Sequence, residues 1–198
     1  MGMQDRMDRL KDLRRRASLG GGREKIDKLH SDGYLTAEER LALLIDPGTF
    51  LEVNAFAGPQ PAEFGLNPPY IPRDGVITGF GKVGGRTIGV YAHDKTVQGG
   101  SLGNVQAAKI VNIIRRAHEM KVPVVALQDS VGARIQEGNK NVGFDSVFYA
   151  VTQASGVIPL ISAILGRCAG GVAYSSASMD LILAWCSVLR TTASSRAP

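Results

Sequence analysis

Sulfur and imidazole are scarce in this sequence. Its 198 residues include two cysteines, Cys168 and Cys186, and three histidines, His30, His93 and His118. The cysteines form no C-x-x-C pair and no histidine has a partner at metal-ligand spacing, so neither a zinc ribbon nor a histidine metal site is expected. Long apolar runs are missing too. Nothing approaches the ~18 residues of a membrane span, and the N-terminus carries charges where a signal peptide has its apolar core. No Gly-X-Y period accompanies the glycines, which excludes collagen. Beyond residue 30 there is also little excess charge. Nine basic and five acidic side chains fall in residues 1–30, which hold most of the net +5. Such an arm is either a solvated helix face or a contact for a phosphate-bearing cofactor, anionic lipid or nucleic acid. These absences predict a cytoplasmic protein with reduced thiols; with the arm read as a solvated helix face, no membrane partner and no nucleic-acid partner are expected.

Glycine is abundant, at 24 of 198 residues, about 12% against a usual share of about 7%. The chain around the glycines alternates in pattern. Residues 1–57 read as a helical arm: Met3 to Leu19, stopped by Gly20-Gly21-Gly22, then Arg23 to about His30, then a capping box at Thr36-Ala37-Glu38-Glu39. Residues 58–72 hold five prolines and read as a connecting loop. From there the pattern is Val76–Phe80 and Thr87–Tyr91 as a hairpin, Asn104–Met120 as a helix and Val122–Leu127 as a buried strand. A helix near Asp145–Ser155, a strand at Ile158–Leu165 and a short helix at about Val172–Ser178 complete it. Strand, glycine turn and helix in that order specify an α/β fold whose turns gather at one edge of a sheet.

Two glycine motifs do not survive inspection. Gly79-Phe80-Gly81-Lys82-Val83-Gly84 matches the dinucleotide fingerprint, but a strand-like run follows where a phosphate-binding helix is required, so it reads as a hairpin turn. Gly99-Gly100-Ser101-Leu102-Gly103 matches the nucleophile elbow G-x-S-x-G in a suitable strand–helix context. The only later histidine is His118, in the very next helix, with no acid between them, so a Ser101 hydrolase lacks its triad. Two further turns, Ser130–Arg134 and Gly166–Gly171, each follow a buried strand and precede a helix. They are either tight turns kept small for packing, or a pair of amide-presenting turns able to form an oxyanion hole, where a larger Cβ would block a carbonyl.

At these turns the sequence resembles a known family. Lys25-Ile26-Asp27-Lys28-Leu29-His30, Leu35-Thr36-Ala37-Glu38-Glu39-Arg40, Leu44-Ile45-Asp46-Pro47-Gly48-Thr49-Phe50, Gly99–Gly103, Gly132-Ala133-Arg134-Ile135-Gln136-Glu137-Gly138 and Ser155-Gly156-Val157-Ile158-Pro159 occur in fixed order. Together they resemble the carboxyltransferase (beta) subunit of biotin-dependent acyl-CoA carboxylases, of the propionyl-CoA carboxylase beta type, and the related biotin-dependent decarboxylases. The resemblance covers about Arg23 to Ala184. It implies a crotonase-like α/β fold, a spiral of β-β-α units. It also implies transfer of a carboxyl group between carboxybiotin and the α-carbon of an acyl-CoA such as propionyl-CoA. Ala133 and Gly171 would donate amides to the thioester enolate, supported by Gly132 and Gly170. Gly99, Gly100, Ser101 and Arg134 would line the substrate, and Arg23, Lys25 and Lys28 would meet the CoA phosphates. Biotin would arrive on a partner, the carboxyl carrier and biotin carboxylase subunit, and the chain would form a homo-oligomer. The biotin ureido group would accept the proton, which accounts for the lack of an obvious base.

Three departures stand out. Val131 occupies a position where the family has glycine, and a β-branched residue resists positive φ. Arg167 stands where the family has proline. Family chains are also more than twice this length, with a second crotonase-like domain, and the text from Trp185 to Pro198 has no family match. The expectation is therefore an incomplete domain over residues 73–184, a foreign tail at 185–198 from a frameshift, truncation or split gene, and a chain inactive alone. A non-catalytic acyl-CoA-binding or assembly module is the alternative. A stand-alone hydratase would need Glu137 or Asp145 as its acid–base group.

Overall fold

The computed structural model describes residues 2–59, 69–137 and 144–184. A six-stranded sheet forms the body, in the order β1 (Leu51–Glu52), β2 (Val76–Val83), β3 (Arg86–His93), β4 (Val124–Ser130), β5 (Leu160–Cys168) and β6 (Leu181–Ala184). The first three strands pair antiparallel and the rest parallel. Helices α4 (Asn104–Met120), α5 (Phe144–Ala154) and α6 (Gly171–Ala177) make the parallel crossovers. Hairpin β2–β3 followed by α4 is one β-β-α unit. The Gly84-Gly85 turn closes that hairpin, and both amides donate to the Asp46 carboxylate at 3.1 and 2.8 Å, which removes the dinucleotide reading.

The pleat sorts side chains onto two faces. Val76, Tyr91, Val124, Ala126 and Leu160 pack under Ile110 and Ile114 of α4 and Val151 of α5. Ile77, Ile88, Val90 and Leu127 point the other way, against Ala37, Leu41 and Ile45. Each such apolar side chain contributes about 1.5–3 kcal/mol when buried. Ala37 and Leu41 belong to α3 (Ala37–Leu44), so α3 is part of the core rather than of a separate arm. Its Thr36–Glu39 capping box forms as expected, with Glu39 N donating to Thr36 Oγ1 at 3.2 Å and Thr36 N to Glu39 Oε2 at 2.8 Å. Helices α1 (Met3–Leu19) and α2 (Arg23–Ser31) bury only Ala17 and Leu29, and touch the body where Arg73 Nη1 donates to Ala17 O at 3.1 Å and Gly21 N to Thr96 Oγ1 at 2.9 Å.

Helix α4 falls on its predicted residues. Strands β4 and β5 run three residues further than predicted, so Ser130 and Cys168 are strand residues and the turns beyond them are tighter. Most of the proline-rich loop and the tail from Trp185 lie outside the described residues. Among the described residues, no helix is long and apolar enough to cross a membrane, and no group of three histidine, cysteine or acidic side chains could hold a metal.

Candidate active site

All parallel strands end at the same edge, and the two glycine turns meet there. Ala169 N donates to Ser130 O at 3.3 Å, and a Cβ built on Gly132 would stand 3.3 Å from Ala169 O and 3.9 Å from Gly170 Cα, so the turns lie side by side. Gly132 and Gly170 both adopt positive φ, +104° and +57°, which bends each chain just ahead of the residue expected to donate. Leu102 N donates to Gly132 O at 2.8 Å and Arg134 N to Leu102 O at 2.9 Å. In such a parallel bridge the intervening amide points to the opposite side. Ala133 N–H therefore turns away from Leu102, and Gly171 N–H, at the first residue of α6, precedes the helix's own bonds. Among the described residues neither amide donates to a protein acceptor. Val131 avoids strain because Gly132 carries the positive φ; Val131 N donates to Gly99 O at 3.2 Å instead.

The first turn is held by charge. Arg134 is 2% exposed, and its guanidinium reaches Asp74 Oδ1 at 2.6 Å, Glu137 Oε1 at 2.7 Å and Ser101 O at 3.1 Å. Burial pushes the Asp74 carboxyl up against the pull of Arg134. Asp74 follows Arg73 in a left-handed stretch with φ of 70° and 49°, and Gln106 Nε2 and Lys109 Nζ hold the carbonyls of that stretch. Arg134 was expected at the substrate. Its donors are committed to the protein, so it positions the turn instead. Ser101 is likewise buried, with Arg134 Nε 3.4 Å from its Oγ and no histidine partner among the described residues, which removes the hydrolase reading. Glu137 holds Arg134 with one oxygen and Asn104 N, at the start of α4, with the other at 2.7 Å. It is not free to act as the hydratase base; the Asp145 side chain lies outside the described residues.

Gly100, expected at the substrate, instead makes room for protein atoms, as do Gly103 and Gly166. A Cβ on Gly100 would overlap Asp129 O, one on Gly166 would overlap the Asp129 carboxylate, and one on Gly103 would crowd Glu137 and Arg134. Gly99 packs on Val131 and is half-buried. Arg23 is exposed and paired with Asp27 at 3.2 Å. Lys25 and Lys28 line a shallow cavity of about 180 Å³ with Lys95 and Thr96, a few residues ahead of the Gly99–Gly100 turn. Lys95 was not foreseen, because it lies in a loop without periodicity. Asp129 and Arg40 were also missed; they pair at 2.9 Å beneath the turns. His93 lies buried near Gln128 and Asp129, and desolvation lowers its pKa to about 4, so it is neutral near pH 7. Burial raises the Cys168 thiol.

Residues 28–187 match the family described as the carboxyl transferase domain. The chain belongs to that family. It is 49% identical over 181 residues to the carboxyltransferase subunit of propionyl-CoA carboxylase from Haloferax mediterranei, covering 91% of this chain and 35% of that one. It is 43% identical to the alpha subunit of methylmalonyl-CoA decarboxylase from Veillonella parvula, covering 91% and 36%. Transcarboxylase 12S, solved with methylmalonyl-coenzyme A and methylmalonic acid bound, superposes with a TM-score of 0.89 at 40% identity, covering 93% of this chain and 36% of that one. The expected crotonase-like α/β fold is thus the fold of this carboxyl transferase domain. The chain spans about a third of the length of the relatives it matches.

Proposed function

We propose that this carboxyl transferase domain binds an acyl-CoA and holds its thioester carbonyl between the amides of Ala133 and Gly171, with Gly132 and Gly170 shaping the two turns. The observation that carries the reading is that the two turns lie side by side and that neither amide has a protein acceptor among the described residues. An enolate oxygen would sit where two dipoles converge on it, and preorganised donors of this kind contribute most where charge develops. Removing one typically costs 10²–10³ in rate.

A base would also be needed, and the protein carboxylates near the turns are engaged: Asp129 with Arg40, Asp74 with Arg134, and Glu137 with Arg134 and the start of α4. Carboxybiotin on a partner's carrier domain would supply both the carboxyl group and the proton acceptor. The chain's own part is to bind, orient and polarise the acyl-CoA. Lys25 and Lys28, joined by Lys95, are proposed for the CoA phosphates; the half-buried Gly99 would border the path between that cavity and the turns. A propionyl- or methylmalonyl-type acyl group, a cytoplasmic location and a homo-oligomer belong to the same proposal. They are supported by the names of the relatives, the free thiol of Cys168 and the hexamer assembly described for transcarboxylase 12S.

Infrared difference spectroscopy with propionyl-CoA labelled with ¹³C at the thioester carbonyl tests the reading. The carbonyl band is expected to shift to lower frequency on binding, and propionyl-CoA is expected to bind more tightly than CoA in calorimetry. Binding with no carbonyl shift, or no binding at millimolar concentration, would refute it.

A further inference from the structure

Pairing between β4 and β5 breaks just before the two turns. Gln128 faces Ile164 and Ser130 faces Cys168, so one residue of β4, Asp129, lies opposite three of β5, Leu165, Gly166 and Arg167. Such a bulge leaves backbone groups without ladder partners and redirects the strand that carries it. Here a buried ion pair supplies substitutes. Asp129 is 1% exposed, and its Oδ1 accepts from Arg167 N at 3.1 Å. Its Oδ2 accepts from Arg40 Nη2 at 2.9 Å, and the same nitrogen lies 3.5 Å from Leu165 O. Arg40, 8% exposed, comes from α3 on the far face of the sheet. The bulge thus receives an acceptor from Asp129 and a donor from Arg40. Gly166 is the residue that lets the carboxylate in, and Gly100 packs on the Asp129 carbonyl.

We propose that Asp129 is a positioning residue: its carboxylate, anchored by Arg40, fixes the bulge in β5 and thereby the separation of the two turns that carry Ala133 and Gly171. The proposal rests on the oxyanion reading given above. In this chain the bulge carries an amide proton at Arg167, where the family has proline, and Asp129 is its acceptor. The turn regions are also joined by Ala169 N donating to Ser130 O, at a long 3.3 Å. Asp129 touches no substrate in this scheme; it acts through the angle between two amides.

The test uses the full 198-residue chain, ¹³C-labelled propionyl-CoA and unacylated CoA. Asp129→Asn preserves shape but removes the charge that holds Arg40. It is expected to lower the preference for propionyl-CoA over CoA roughly tenfold, about the effect of one misplaced hydrogen bond. It should also diminish the carbonyl shift while CoA itself binds as before. Arg40→Lys keeps a charge at the anchor but not the planar group that lies between the Asp129 carboxylate and the Leu165 carbonyl, and is the milder variant. It is expected to show a carbonyl shift between those of the wild type and Asp129→Asn, and it decides the matter alone if Asp129→Asn does not fold. A wild-type carbonyl shift retained in full by Asp129→Asn, or by Arg40→Lys where Asp129→Asn does not fold, overturns the positioning role. A wild-type chain with no carbonyl shift overturns the oxyanion reading instead, which keeps the two failures distinct.

Discussion

The two glycine turns do similar work with different support. The turn carrying Ala133 is held by the buried Arg134, which ties it to Asp74, Glu137 and Ser101. The turn carrying Gly171 is more open: Ala169 and Gly170 are exposed, and its ties are one long backbone bond to Ser130 and the Asp129–Arg167 bond below it. One amide is set by a charged network, the other by a bulge. If the two amides act as the proposed pair of donors, only one needs a rigid mount, because Asp129 ties the second turn to the first.

The comparison breaks most severely at Arg134. Replacing it with methionine leaves Asp74 and Glu137 without their partner, and removal of one member of a buried ion pair costs about 3–5 kcal/mol. Urea unfolding should show that loss, and a loss under about 1 kcal/mol would mean the first turn is not held by charge. Acid should weaken the support of both turns through His93, which lies beside Gln128 and Asp129. Its folded pKa of about 4 lies below the unfolded value near 6.5, so between those values the unfolded chain binds the extra proton. Stability is therefore complete above pH ~6.5 and falls as pH drops toward ~4, by on the order of 3 kcal/mol from this residue. A stability profile flat over that window, or unchanged in His93→Gln, would remove His93 from the account. The smallest effect sharpens the contrast between the turns. Gly132→Ala combines positive φ with a contact at 3.3 Å to Ala169 O, whereas Gly170→Ala meets nothing nearer than 3.8 Å. Both carry the left-handed penalty of about 1–2 kcal/mol, and the Gly132 variant should melt lower. Equal melting temperatures would mean the two turns are equally tolerant.

How much of this could be read from residues alone depended on distance along the chain. Helix α4 was legible to the residue because Ala107, Ile110, Ile114 and Ala117 repeat on one face between a glycine and a left-handed Lys121. The hairpin and the Thr36–Glu39 box were legible for the same reason, since all their determinants are local. The locations of the turns were legible because glycines cluster there. What each glycine does was not: Gly100, Gly103 and Gly166 admit protein atoms, and only three-dimensional neighbours reveal that. Arg134 looked like a ligand for substrate because a conspicuous arginine beside a glycine carries no sign of Asp74, 60 positions away. Arg40 and Asp129 are 89 positions apart, and each by itself is one charged residue among many. The extra residues of β4 and β5 were lost because periodicity fades at a bulge.

That separation also bears on how the domain comes into being. The carboxylate of Asp129 has one partner 89 residues behind it and another 38 residues ahead. Contacts so far apart form only after long loops have closed, which makes them slow. A nascent chain that has released β4 therefore has Arg40 at hand but no bulge to brace, and the turns acquire their mutual angle only when β5 arrives. Under the reading proposed above, the two amides would align only once β5 has joined β4, and the domain would come to grip a thioester as a unit rather than by degrees.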